Sequence, residues 1–194
     1  MPRRSPPLQL VWFKRDLRLH DHAPLKEAAR YGPVLPLHIV EPGFWALPES
    51  SGRQWRFVRE SLGELDDDLR ALGSGLVVRR GEAVAVLRDL LDAHEIAALW
   101  SHQETGNAWT FARDRAVGAL LRERGVPWHE RRQNGVIRRL EQRDGWAARW
   151  ERFMRADEVE APPRLDAPAI VSEPLPTAAS LGLDDDPAQR QAGG

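Results

Sequence analysis

The sequence predicts a doubly wound α/β domain, Rossmann-like, with five parallel strands in the order 3-2-1-4-5 and helices on both faces. Three observations predict it. Five short apolar runs alternate with helix-forming stretches along residues 8–154. The connections between successive runs are too long for hairpins. The runs suit strands buried on both faces, which calls for a parallel sheet joined by right-handed crossovers.

The elements follow in order. Leu8 to Lys14 (LQLVWFK) reads as the first strand, rich in β-formers. The polar loop Arg15-Asp16-Leu17-Arg18-Leu19-His20 leaves it. Asp21 is the expected cap of a helix with Pro24 in its first turn, running to about Tyr31. Gly32-Pro33 ends that helix. Val34 to Val40 (VLPLHIV) is the second strand, and Glu41 to Ser50 reads as a loop. Trp55, Val58, Leu62, Leu65, Leu69 and Leu72 recur at spacings of three and four, so Arg53 to Leu72 is a long amphipathic helix. Gly73 stands where a left-handed cap belongs. Leu76 to Arg80 is the third strand and Glu82 to His94 the next helix. Ile96 to Ser101 is the fourth strand. Asn107 to Arg124 is a helix closed by Gly125, Val126 to Arg131 the fifth strand, and Asp144 to Met154 a last helix. The α/β domain is expected over residues 1–156. Residues 157–194 contain Pro162, Pro163, Pro168, Pro174, Pro176 and Pro187 and read as a mostly extended interdomain linker.

Composition narrows the function. The chain has 194 residues, with 28 basic and 29 acidic side chains and a net charge of −1. That balance argues against the surface-wide basic footprint of a nucleic-acid binder. The chain has no cysteine, which excludes disulfides, thiolate metal sites and a cysteine nucleophile and suits a reducing compartment. No apolar run approaches a membrane span, so no membrane partner is expected and the expected location is cytoplasmic. Lys14 and Lys26 are the only lysines among the basic residues. Arginine is therefore the default cation here, and a single arginine is weak evidence of an anion site. Eight tryptophans suggest core or interface anchors.

Ligands of open α/β sheets bind beyond the carboxyl ends of the strands, where strand order reverses. In the order 3-2-1-4-5 that crevice lies between the exits of the first and fourth strands. The first exit is Lys14 to Arg18. The second is Ser101-His102-Gln103-Glu104-Thr105-Gly106-Asn107, leading into a helix N-terminus with unpaired N–H groups. Two readings stand side by side. Arg15, Asp16 and Arg18 could line a site, or form ion pairs that pin the loop or a neighbouring domain. Asn107 could touch a ligand or only cap its helix. His20, His22 and His102 lack metal-ligand spacing on one helix face, so no metal is assigned. Asp66-Asp67-Asp68 reads as the solvated side of the long helix. No Gly-x-Gly-x-x-Gly follows the first strand, and no phosphate-loop lysine motif or Gly-x-Ser-x-Gly elbow occurs. No catalytic residue is assigned.

At Leu10-Val11-Trp12-Phe13-Lys14-Arg15-Asp16-Leu17-Arg18-Leu19-His20-Asp21 the sequence resembles the opening of the DNA photolyase/cryptochrome family. The resemblance continues through Phe57 to Gly73, Leu76, Gly81, and Trp109 to Val117. It extends to Gly145-Trp146 with Arg149-Trp150 and Phe153, and covers about residues 8 to 155. It implies a two-domain flavoprotein whose α/β domain supports an optional antenna chromophore: a deazaflavin, a flavin or a folate. A C-terminal helical domain would hold FAD, the electron-transfer tryptophans and the damaged-DNA pocket. That domain is expected to lie outside this chain, which would then be a fragment or split gene product, inactive alone, with FAD and damaged DNA belonging to the full-length protein. The resemblance implies a light-dependent DNA repair photolyase (a lyase) or, as the alternative, a cryptochrome photoreceptor acting through protein partners. Antenna contacts carry over to Arg15, Asp16, Phe44, Arg53, Glu104 and Asn107. A planar, polar, partly anionic ring would stack on Phe44 and accept hydrogen bonds from Arg53. The adjacent Asn-Glu pair that holds folate in some members is absent, because Ala108 follows Asn107. A face that docks on the helical domain would stay apolar, with Trp12, Trp146 and Trp150 as candidates.

Overall fold

In the computed structural model five strands form one parallel sheet: β1 Leu8–Phe13, β2 Val34–Val40, β3 Val77–Arg80, β4 Ile96–His102 and β5 Trp128–Arg131. The structure describes residues 6–184, apart from 139, 167 and 169, together with 192 and 193. The order is β3-β2-β1-β4-β5, as the sequence predicts. The helices are α1 Ala23–Ala28, α2 Pro42–Trp45, α3 Gly52–Ala71, α4 Ala83–Ala93, α5 Ala108–Glu123 and α6 Trp146–Met154.

Alternation in β1 shows how the sheet divides the core. Val11 and Phe13 pack with Leu25 of α1 and with Trp55, Leu62, Leu65 and Leu69 of α3. Leu10 and Trp12 turn to the other face, among Leu87 and Leu90 of α4 and Val117, Leu120 and Leu121 of α5. Both side-chain directions of a central strand are therefore apolar, the pattern of a sheet covered twice. Trp12 is buried in this core, which removes it from the candidate docking face. Gly73, at φ 94°, adopts the left-handed conformation that ends α3.

Two local expectations are corrected. Asp21 does not cap α1. It adopts φ 50° and exchanges hydrogen bonds with Val159, and His22 caps the helix by accepting the Leu25 N–H at Nδ1. The stretch after β2 is not all loop, because Pro42, with φ preset by its ring, starts the short α2.

The described residues between 157 and 183 run along the domain. Leu165 and Leu181 join the α1/α3 side of the core. Val34 N–H donates to the Asp166 carbonyl, Leu165 N–H to the Leu72 carbonyl, and Glu173 N–H to the Val78 carbonyl. Ser172 Oγ and Glu173 Oε2 accept the outward N–H groups of Val78 and Arg80 on edge strand β3. The β3 edge of the sheet is thereby covered. Pro187 lies outside the described residues.

Candidate chromophore cleft

The carboxyl ends of β1, β2 and β4 open into a cleft of about 540 Å³. The reversal of strand order puts it there. Arg15, Asp16, Phe44 and Glu104 line it, so four of the six sequence-predicted residues come together. Asn107 does not line it. Its Oδ1 accepts the Thr110 N–H at 3.0 Å and caps α5, while Nδ2 donates to Glu49. Arg53 is exposed and also lies outside the lining. The helical period turns Gln54, Phe57, Val58 and Ser61 to the cleft instead, so stacking on Phe44 with hydrogen bonds from Arg53 is not the geometry observed.

The β1 exit is organised around the buried Asp16. Its Oδ1 accepts the backbone N–H groups of Lys14 and Arg15 at 2.9 and 3.2 Å. Its Oδ2 lies 2.9 Å from His22 Nε2 and 2.5 Å from His102 Nδ1. Burial acts to raise the Asp16 carboxyl, and the His102 and His22 hydrogen bonds outweigh it and hold it well below the usual carboxylate range. Asp16, His22 and His102 bring three potential metal-ligand atoms within 4.8 Å, a juxtaposition that sequence spacing concealed. Hydrogen bonding decides its chemistry. Because His22 Nδ1 accepts the Leu25 N–H, the neutral ring carries its proton on Nε2 and donates it to Asp16. That nitrogen has no lone pair for a metal, and the cluster is a polar joint between β1, α1 and β4.

The floor of the cleft is an ion network that sequence reasoning missed. Arg113 of α5 donates to Glu41 at 2.8 Å, to Glu104 at 2.7 Å and to Asp114 at 2.9 Å, and stacks over Trp12 at 4.8 Å. Lys14 pairs with Asp114 at 2.9 Å, and Arg15 with Glu104 at 2.7 Å. Burial pushes the Glu41 carboxyl up to about 7, against the pull of Arg113. Burial also acts to raise Glu104, but Lys14, Arg15 and Arg113 together hold it low. His38, behind the β1 exit, donates from Nδ1 to the Phe13 carbonyl at 2.9 Å, and burial drops it to about 4. The aromatic wall is Phe44, edge-on to Trp45 at 5.4 Å and tilted against Trp109 at 5.8 Å. Arg113 was legible in principle. Thr110, Asp114, Val117, Leu120 and Leu121 form the buried stripe of α5, and charged residues interrupt that stripe only at its cleft end.

Away from the cleft, α6 has no buried residue. Trp146, Trp150 and Met154 are 38%, 42% and 55% exposed, near-continuous apolar surface on one short helix.

A family model described as DNA photolyase matches residues 9–149. A deoxyribodipyrimidine photo-lyase of Agrobacterium fabrum is 31% identical over 178 residues, covering 85% of this chain and 35% of the relative. A cryptochrome DASH of Gloeobacter violaceus is 42% identical over 101 residues, covering 49% and 20%. The crystal structure of a class III photolyase from Agrobacterium tumefaciens superposes with a TM-score of 0.73 at 26% identity, over 90% of this chain and 38% of that one. The chain spans well under half the length of these relatives. No helix among the described residues is long and apolar enough to cross a membrane. The family model takes in residues 9–149, well over half of the chain and most of the α/β domain, and the chain belongs to the DNA photolyase family.

Proposed function

We propose that this chain is the antenna-type α/β domain of a light-dependent DNA repair photolyase. It supports a light-harvesting chromophore in the cleft and docks on a helical FAD-binding domain that carries the repair chemistry on damaged DNA. The observation that carries the proposal is the cleft at the strand-order reversal. Its volume of about 540 Å³ suits a ring system of two or three fused rings, and it pairs an aromatic wall at Phe44 with a polar floor at Glu41 and Arg113. The exposed α6 supports the docking step. Its charged groups are paired with one another, Glu41 and Glu104 with Arg113 and Lys14 with Asp114, an arrangement that suits holding a ligand. Equilibrium titration of the chain with a deazaflavin, a flavin and a folate, read by chromophore fluorescence, tests the proposal. One of the three should bind with one-to-one stoichiometry, and failure of all three would overturn the antenna role. The chain alone, given FAD and blue light, should clear no pyrimidine dimers.

The second proposal is a cryptochrome-type photoreceptor module acting through protein partners. It is favoured by the cryptochrome DASH relative, whose identity over its matched segment exceeds that of the photo-lyase. The α/β domain serves both roles with the same cleft. Dimer clearance by this chain joined to a flavin-loaded helical domain separates them.

A further inference from the structure

Phosphate groups of ligands in doubly wound folds rest on the N-terminus of the helix that follows a strand at the order reversal, held by its free N–H groups. In this protein Asn107 caps that helix at the Thr110 N–H, and the N–H groups of the turn leading into it, at Thr105 and Gly106, are already taken. The Glu104 side chain folds back over that turn. Its Oε1 accepts the Thr105 N–H at 2.9 Å, the Gly106 N–H at 2.7 Å and Arg15 Nη2 at 2.7 Å. Its Oε2 accepts Arg113 Nη2 at 2.7 Å. Two backbone donors and two guanidinium groups are what a phosphoryl group would want, and Glu104, 2% exposed, satisfies all four. The close fit depends on Gly106, where a Cβ would come within 2.7 Å of both Glu104 Oε1 and Thr110 Oγ1.

The remaining cations of the cleft are also committed. Lys14 is held by Asp114, and Arg113 by Glu41 and Asp114 besides Glu104. Arg18 donates to the carbonyls of His20 and Asp21 and lies 3.7 Å from the Asp21 carboxylate. Among the lining side chains, Asp16, Glu41, Glu49 and Glu104 match Lys14, Arg15, Arg18 and Arg113 in number.

We propose that Glu104 stands in for a ligand phosphate, so that the cleft selects an unphosphorylated planar heteroaromatic compound over its phosphorylated counterpart. The inference rests on the proposed chromophore role of the cleft and deepens it, replacing a partly anionic ring with a neutral one. Entry of a phosphoryl group would have to displace a carboxylate from four donors or leave a dianion beside it.

Riboflavin and flavin mononucleotide share one ring and one ribityl chain and differ by the phosphate alone. Fluorescence titration of the wild-type chain should give riboflavin an affinity at least equal to that of the mononucleotide. Glu104→Ser vacates the nest and should turn the preference toward the mononucleotide by about tenfold or more. Glu104→Gln keeps an acceptor for Thr105 and Gly106 and guards against misfolding of the first variant. It should shift the preference the same way by a smaller factor. A wild-type preference for the mononucleotide of tenfold or more would overturn the inference while leaving the chromophore role standing. Failure of both flavins to bind would remove flavins from the cleft. The phosphate half is then decided by thermal unfolding in inorganic phosphate against chloride of equal ionic strength. Stabilisation of Glu104→Ser but not wild type sustains it, and equal response of the two overturns it.

Discussion

The cleft and α6 are opposite in how they treat unfavourable surface. At the cleft the chain buries charge, and Asp16, Glu41, Glu104, Arg113 and Lys14 each have hydrogen-bonded partners within the domain. At α6 it exposes Trp146, Trp150 and Met154, which have no comparable cover. The first region is expensive to build and is complete within this domain. The second is cheap to build and gains most of its free energy only when something covers it. Substitutions should therefore cost stability at the cleft and association at α6.

The largest expected effect is at Asp16. Its carboxylate serves four donors, and His22 has its tautomer fixed by the Leu25 N–H. Asp16→Ala should lower unfolding stability by about 3–5 kcal/mol, since buried donors are left without acceptors. Asp16→Asn sharpens the point. Either orientation of the amide turns its NH₂ toward groups that are themselves donors, so the isosteric change should still cost about 2 kcal/mol or more. Urea denaturation measures both. A cost below about 1 kcal/mol for the asparagine variant would show that the joint is not held by the tautomers assigned.

The fold was legible because its signals are local. Apolar runs, the stripe of α3 from Trp55 to Leu69 and the left-handed Gly73 each lie within one element, and the strand order is the one expected of a doubly wound domain with right-handed crossovers. The cleft was legible only where it belongs to strand exits. Arg15, Asp16 and Glu104 follow β1 and β4 directly, whereas Phe44, past β2, came from the family resemblance. Glu41 follows β2 in the same way, but the rule was applied only to the two strands flanking the reversal. The charged end of the α5 stripe marked Arg113 as unusual but not its partners, and the pairing of Lys14 with Asp114 and the meeting of His22 with His102 join residues far apart in sequence, which no periodicity marks. Arg53 was misplaced for a different reason. A one-residue shift along a helix turns a side chain by about 100°, which decides between the cleft and solvent.

A second, smaller effect comes from pH. His38 is pushed down from 6.5 to about 4, so between those values the unfolded chain binds a proton that the folded chain refuses, and stability rises with pH. His22 is also lowered by burial and acts in the same sense. Glu41 is pushed up from 4.5 to about 7, so the folded chain keeps a proton that the unfolded chain releases, and stability falls as pH rises. Each group contributes a slope of up to about 1.4 kcal/mol per pH unit. From pH 4.5 to 6.5 Glu41 therefore offsets one of the two histidines. Urea midpoints of the wild type should rise with pH over this range. The slope should steepen in Glu41→Gln and nearly vanish in His38→Asn. An unchanged slope in Glu41→Gln would mean that Arg113 keeps Glu41 ionised throughout, and the cleft floor would then be more anionic.

The smallest effect on stability, and the most telling for the comparison, is expected at α6. Trp150 is left in place because it packs on Gly135. Met154 is 55% and Trp146 38% exposed in the folded chain, so unfolding uncovers about half of their surface. The double substitution Trp146→Ser with Met154→Ser should cost about 1 kcal/mol, less than either change at Asp16. Apolar-dye fluorescence should nevertheless fall by about half, because these two side chains make up much of the exposed apolar surface on this helix. Binding to an isolated helical FAD domain, measured by calorimetry, should weaken by about tenfold or more, since aromatic anchors dominate such contacts. A loss of 2 kcal/mol or more in stability with unchanged dye binding would mean that α6 is cemented into the α/β domain. The contrast with the cleft would then fail, and docking would have to use another face.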